Sequence, residues 1–439
     1  MGTAAVITLL RPGALSVLPP LSLYIHLPWC LRKCPYCDFN SHEWAPKTPA
    51  ASAPQGGASA LGRPGGGLLA SKTPASPAIG HVPIVPANTR EGLPEARYID
   101  ALMADLESAL PQIWGRRVHT IFIGGGTPSL FSPASIDLLL AGVRARLPLE
   151  PDCEITLEAN PGTFEKDRFK GFRQAGVNRL SIGVQSFDDA KLKVLGRVHS
   201  SDQAKAAIDE ARSAFDTFNI DLMYALPGQT LAELDADVKQ ALAFEPPHLS
   251  LYHLTLEPNT RFATQPPKGL PDDDTAFDML DHLIAANEAA GLHRYEVSAF
   301  ARKGHQCLHN LNYWQFGDYL GIGAGAHSKI SLPDRLLRQV RWREPQAYMD
   351  KALQGQACSN EHDIALSARP FEFMLNALRL KSGFEFSRFT ERTGLTLAAI
   401  QKPLAEAEAK GLLARDLQRA WPTARGFDFL SDLQELFLA

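Results

Sequence analysis

A chain of 439 residues is long enough for one large domain and a smaller one. Its 45% hydrophobic and 21% charged residues are ordinary for a soluble globular protein, and a net charge of −4 gives no reason to expect a nucleic-acid or anionic-membrane partner. Six cysteines, three clustered and three scattered (Cys153, Cys307, Cys358), do not make a disulfide framework, so a reducing compartment is expected.

The first ten residues are mildly apolar but lack a basic leading region, and Val6 stands where a myristoylation signal beginning at Gly2 wants Ser or Thr. No run approaches the ~18 apolar residues of a membrane span, which leaves the cytoplasm as the expected setting. Residues 22–27 read as a strand, ended by Pro28. Cys30, Cys34 and Cys37 follow at C-x3-C-x2-C spacing. Three thiolates crowded into one short loop can hold three irons of a cubane 4Fe-4S cluster and leave the fourth open to a ligand. A zinc site is the competing reading, with His26 or His42 as the missing fourth ligand.

From residue 45 to residue 94 the composition shifts: 31 of 50 residues are Ala, Pro, Gly or Ser, and none is aromatic. Such a segment buries too little apolar surface to offset its ordering entropy, and reads as a disordered insertion. Helical spacing resumes at Tyr98. Strands are then expected at 120–123, 154–158, 179–184, 219–224 and 249–255, and helices from near Ser132, Glu165, Ser201, Leu231 and Asp272. With the cysteine strand this makes six βα units, two short of a closed barrel, so the expected fold is α/β, an open partial (β/α)6 barrel with ligands at the C-terminal strand ends.

Residues 293–329 look loop-like and rich in Gly and aromatics. Three helices at 368–380, 388–393 and 398–411, then two short strands within 412–429, suggest a winged-helix-like module. Its third helix mixes charges and contains Pro403, so packing or lid duty is favoured over DNA reading. The domain plan is an extension at 1–21, a barrel at 22–292, a linking segment at 293–350 that closes the site, and a C-terminal module at 351–439.

Gly124, Gly125 and Gly126, followed by Thr127, end the strand at 120–123. Backbone without Cβ atoms can approach a ligand closely, although a structural tight turn would look the same. The letters Gly321-x-Gly323-x-x-Ala326 precede His327, but no strand-then-long-helix context supports a dinucleotide fold. His309-Asn310-Leu-Asn-Tyr313-Trp314 joins an imidazole, a standard ligand of heme iron, to two flat aromatic faces, though a lone loop His is more often a hydrogen-bonding residue.

The cysteine spacing, the string Tyr24-Ile-His-Leu-Pro-Trp-Cys30 and the glycine triplet resemble the radical S-adenosylmethionine (SAM) enzymes. Within them, the chain is most similar to the oxygen-independent coproporphyrinogen III oxidase group and its heme-chaperone branch. The resemblance implies that the open iron takes the amino and carboxylate groups of SAM, and that the glycine motif (Gly125, Gly126, Thr127) contacts its amino group. It further implies that Tyr24, Tyr36, Glu158, Gln185, Arg197, Asp221 and His327 belong to the SAM sites. His309 is assigned to heme by the motif that marks the chaperone branch. Implied partners are heme, a heme-acceptor protein and an electron donor such as flavodoxin or ferredoxin, with membrane contact only through an acceptor. The oxidases carry a further cysteine two positions after the third, where this chain has Phe39, and a longer arm than the 21 residues that precede Ser22 here. Both departures weigh against decarboxylation of coproporphyrinogen III, the alternative activity.

Overall fold

The computed structural model describes residues 13–44, 92–162 and 168–438. In chain order, β1 (Leu21–Leu27) leads into the short parallel pair β2 (Trp29–Cys30) and β3 (His42–Glu43), which closes the cysteine loop. After α1 (Glu95–Ile113), strands and helices alternate: β4 (Val118–Gly125), α2 (Pro133–Arg146), β5 (Leu149–Ala159), α3 (Phe169–Ala175), β6 (Arg179–Gln185), α4 (Asp189–Val194), α5 (Ser201–Ala214), β7 (Phe218–Tyr224), α6 (Leu231–Leu242) and β8 (His248–His253). Strands β1, β4, β5, β6, β7 and β8 lie side by side in that order, all parallel. These are the six expected units, and the sheet stays open as a partial barrel. Helix starts follow capping chemistry. Ser132 accepts from Ser135 N at 3.1 Å, and Ser200 and Thr230 form reciprocal capping boxes with Gln203 and Glu233. The expected insertion at 45–94 lies outside the described residues up to 91, as does the start of the helix expected near Glu165.

The region expected to be loop-like is instead built into the sheet. Helices α7 (Arg261–Thr264) and α8 (Asp273–Ala289) bring the chain to β9 (His293–Arg294) and β10 (Ala299–Ala301), which add antiparallel beyond β8. After α9 (Leu308–Trp314), β11 (Asp318–Ile322) pairs parallel to β1 on the side away from β4. Then β12 (His327–Ser331), β13 (Leu336–Arg341) and, past α10 (Pro345–Ala352), β14 (Cys358–Asp363) extend that side as an antiparallel meander. Periodicity did not reveal these strands because they are short, glycine-broken or half polar. Their pairing comes from the neighbouring strand rather than from their own pattern.

The C-terminal module has its own core. Helices α11 (Arg369–Ala377), α12 (Phe386–Thr393) and α13 (Gln401–Ala409) pack with a small sheet of β15 (Phe384–Glu385), β17 (Arg419–Pro422) and β16 (Leu413–Arg415). Phe373 sits edge-on to Phe384 and Phe389 at 5.1 and 5.2 Å, near the favoured separation for aromatic pairs. Pro403 falls in the first turn of α13, where a missing N–H is harmless. The two strands expected within 412–429 end at Pro422. Residues beyond form α14 (Ala424–Asp428), started by the Thr423 hydroxyl, which accepts from Gly426 N at 3.0 Å, and α15 (Leu430–Glu435). Among the described residues no helix is long and apolar enough to cross a membrane.

Two polar residues on the buried face of α1, seven positions apart and so on the same side, tie the barrel to the meander. The Tyr98 hydroxyl donates to His26 O at 2.8 Å and accepts from Ala324 N at 2.8 Å. Asp105 is fully buried and accepts from Arg341 Nε (2.9 Å), the Tyr348 hydroxyl (2.9 Å) and Gly323 N (3.2 Å). Burial pushes its carboxyl above the usual range, while Arg341 opposes the shift. Asp105→Asn leaves the Arg341 guanidinium buried without its counter-charge. Urea unfolding should register a loss of about 3–5 kcal/mol, and an unchanged midpoint would show that this pair does not hold the meander in place.

Candidate functional site

Cys30, Cys34 and Cys37, the glycine motif, Glu158 and Asp221 meet at the C-terminal ends of β1, β4, β5, β6 and β7. Pro28 stops β1, and the cysteine loop folds back over the strand ends, held at its base by His42 N to Pro28 O at 2.7 Å and Trp44 N to Cys30 O at 2.8 Å. His26, at the end of β1, pins the loop. Asn40 O can only accept, so Nε2 carries the imidazole proton and donates to it at 2.9 Å, leaving Nδ1 to accept from the Tyr24 hydroxyl at 2.9 Å. Burial lowers the His26 pKa to about 4, consistent with a neutral ring. With both nitrogens engaged, His26 is not the fourth zinc ligand considered above.

A cavity of about 230 Å³ opens beneath the loop, lined by Cys30, Cys34 and Cys37 and by Tyr36, Gly125, Gly126, Thr127, Glu158, Gln185, Arg197 and Asp221. All the residues expected around cluster and SAM therefore share one cavity, apart from Tyr24 and His327. Each thiol has a polar neighbour: Thr127 Oγ1 donates to Cys30 Sγ at 3.6 Å, Arg197 Nη1 donates to Cys34 Sγ at 3.7 Å, and Ser41 Oγ lies 3.7 Å from Cys37 Sγ. Burial pushes the Cys30 thiol up to about 11 and raises Cys37 as well, so ligation would release protons from both. Among the described residues no three His, Cys, Asp or Glu side chains are gathered tightly enough to hold a single metal ion. The thiol set, with donors aimed at its sulfurs, fits a larger sulfur-bound cluster better than a lone zinc.

The glycine motif is required by contact. Gly125 adopts φ +119°, and a Cβ there would fall 2.6 Å from the His26 ring. Its bare N–H instead donates to Glu158 Oε2 at 3.0 Å. Glu158, near the end of β5, has its carboxyl pushed up to about 8, first by burial and then by Asp221. Asp221 is raised by burial as well, while Asn219 donates to it at 2.7 Å. Gln185, at a bulge ending β6, holds a left-handed φ of +72°, a strain of about 1–3 kcal/mol for a residue with a side chain.

Asn160 was not singled out by the sequence, yet it links the site. Its Nδ2 donates to Thr127 Oγ1 at 2.8 Å, and its Oδ1 accepts from Arg197 Nη2 at 2.6 Å. Arg197 also donates to Gly183 O at 2.6 Å. A chain of hydrogen bonds thus runs from the Cys34 sulfur through Arg197, Asn160 and Thr127 to the Cys30 sulfur. The available signal was the Asn-Pro pair after a strand, since Pro161 holds the preceding residue extended.

A second, larger cavity of about 530 Å³ adjoins the first and shares Gly125, Glu158 and Phe39 with it. Tyr24, Tyr313, Trp314, Phe316 and Tyr319 form aromatic walls, and His327, Lys329, Arg338 and Arg343 also line it. The His327 side chain stands exposed at the start of β12, and partial desolvation, followed by the Arg338 and Arg343 charges, lowers its pKa. Gly325, at φ +77°, lets the β11–β12 turn lie against Asn40: a Cβ there would meet Asn40 Nδ2 at 2.4 Å. His309 lines neither cavity. It is buried behind Tyr313, with Nδ1 2.8 Å from Thr120 Oγ1, Nε2 3.1 Å from the Tyr313 hydroxyl, and its ring 5.1 Å from Phe122. Burial depresses its pKa to about 3. Of the motif that contains it, Tyr313 and Trp314 reach the cavity, while Asn312 donates to Ser22 Oγ and Asp318 O at 2.8 Å each.

Residues 24–241 match the radical SAM superfamily and residues 364–429 match the HemN C-terminal domain. The chain is 45% identical to heme chaperone HemW of Escherichia coli K12 over 96% of its own length and 99% of that protein. It is 42% identical to heme chaperone HemW of Haemophilus influenzae, with 96% and 98% covered. The solved structure of coproporphyrinogen III oxidase (HemN) from E. coli, a radical SAM enzyme, superposes with a TM-score of 0.73 at 24% identity, over 96% of this chain and 91% of that one, and supports the fold alone. Full-length similarity at these levels decides the family: the chain belongs to the heme chaperone HemW family of radical SAM proteins.

Proposed function

We propose that this protein is a radical SAM heme chaperone that binds heme in the aromatic cavity and transfers it to an acceptor protein. The observation that carries this reading is the roughly 530 Å³ cavity, within the size range of small-molecule sites. Its flat aromatic walls suit a macrocycle, and its cations suit carboxylate side chains on the macrocycle's rim. Lys329 is anchored to Asp318 at 3.0 Å, and Arg338 to Tyr319 at 2.6 Å and to Glu372, while Arg343 is exposed. Arg343 is therefore the cation best able to meet a propionate.

In the adjoining cavity, Cys30, Cys34 and Cys37 would hold the 4Fe-4S cluster, which together with SAM supplies one-electron chemistry when bound. Gly125 and Gly126, lacking Cβ atoms, would let the amino acid end of SAM lie close against the backbone beside Thr127, whose N–H, like those of the two glycines, is already engaged within the fold. Glu158 and Asp221 suit its ribose hydroxyls and its positive charge, with Tyr36, Gln185 and Arg197 closing the site and Tyr24 and His327 meeting it from the larger cavity. On the same reading the protein works in the cytoplasm, takes electrons from a flavodoxin or ferredoxin, and meets membranes only through an acceptor. His309 serves heme indirectly: it braces Tyr313, and could reach heme iron only by releasing Thr120 and Tyr313.

Replacing Cys30, Cys34 and Cys37 by Ala should reduce iron and sulfide after anaerobic reconstitution to background, and native metal analysis finding zinc without iron would overturn the cluster assignment. SAM affinity should depend on pH. A cationic ligand favours ionised Glu158, whose free pKa is about 8, so in cluster-loaded protein Kd should fall as pH rises towards 8, by up to about tenfold per unit, and level off above it. Glu158→Gln should flatten that profile in calorimetric titrations. For heme, wild type should show a Soret band on titration and yield no protoporphyrinogen IX from coproporphyrinogen III with SAM and a reductant. His309→Ala should weaken heme binding several-fold, with the cluster intact. Absence of heme binding in wild type would refute the chaperone reading, whereas product formation would favour the oxidase.

A further inference from the structure

We propose that the outer face of the cysteine loop, around Cys34, is the docking surface for a small acidic one-electron carrier protein, and that Cys34 is the residue through which the electron enters. The proposal rests on the cluster reading above. Cys30 lines only the inner cavity; Cys37 also borders a concavity shared with Asp38 and Glu257, two carboxylates unsuited to an acidic partner, whereas Cys34 also lines a separate concavity of about 150 Å³. With SAM in the inner cavity, a protein donor has only the outer side from which to approach. Among the described residues, three arginines (Arg32, Arg168, Arg197) line this concavity and no Asp or Glu does, in a chain whose net charge is −4. Beside them Leu31 and Val198 are 43% and 56% exposed, large apolar side chains that nothing else in the described fold explains.

The surface is also rigid before any partner arrives. Gly196 packs so closely on the loop that a Cβ would lie 2.8 Å from Pro35 Cδ, and Phe262 N donates to Pro35 O at 3.0 Å. Arg197 is fixed through Cys34, Asn160 and Gly183, so its N–H to the Cys34 sulfur is held in place. A small apolar centre with a basic rim suits a brief, electrostatically steered encounter with an acidic carrier. In the step itself the reduced carrier loses one electron and the cluster gains one; no bond is made or broken.

The test uses cluster-loaded full-length protein, a reduced flavodoxin or 2Fe-2S ferredoxin, and the variants Leu31→Asp and Val198→Asp, both at side chains that line the outer concavity and not the inner cavity. Stopped-flow reduction by the carrier should slow by about tenfold in each variant, and carrier Kd measured by calorimetry should rise in parallel. Iron content and the rate of reduction by dithionite should stay at wild-type values. Equal rates and equal Kd in wild type and variants would overturn the docking site. If neither carrier reduces a wild-type cluster that dithionite reduces, the partner class is wrong. If no cluster assembles in wild type, the underlying cofactor reading fails instead.

Discussion

The geometry of the site depends on how β1 ends. That strand is hydrogen-bonded in parallel on both sides and is almost wholly buried, so its last residues have little freedom. His26 is gripped there from three directions: Tyr24 and Asn40 on its ring, Tyr98 on its carbonyl. Because Asn40 belongs to the cysteine loop and Tyr98 to α1, one residue sets loop, strand and helix relative to each other. Asn40 then passes the constraint on by donating to Ala324 O and Arg343 O at 2.9 and 2.8 Å, which fastens the meander to the same point. A neutral imidazole suits this position, since a protonated ring would lose its bond from Tyr24 and carry a charge into low dielectric.

The two cavities differ in how they are built. The smaller is made at parallel strand ends, where backbone N–H groups and buried carboxylates converge and where the strained Gln185 sits. Such strain persists only where the surroundings over-determine it. The larger is walled by side chains from the barrel, the meander and, through Asn376, the C-terminal module. The first is preformed and set by backbone at strand ends; the second is walled by aromatic rings and set by how three units meet.

Much of this was legible in the sequence because the information is local. Cysteine spacing, a strand ending in three glycines and acids at strand ends place chemistry within a few residues of a recognisable element. Six βα units could be counted for the same reason. The meander was not legible: β11 is a strand because β1 offers it an edge, and its Gly321 and Gly323 depress any strand pattern. The burial of His309 was equally hidden, since it depends on Thr120, 189 positions away in the chain. Asn160 has an unremarkable sequence context, and its role appears only when Arg197 and Thr127 fold to either side of it.

Gly125, Glu158 and Phe39 form a common wall between the two cavities. Phe39 is 57% exposed, and its ring borders both spaces. In the language of linkage, a wall touched by two ligands carries a coupling free energy, and that coupling is reciprocal. Whatever factor a guest in the aromatic cavity imposes on affinity at the cysteine cavity, a guest there imposes in return. A guest in one cavity that displaced Phe39 would reset affinity in the other by the same factor, with no atom passing between them.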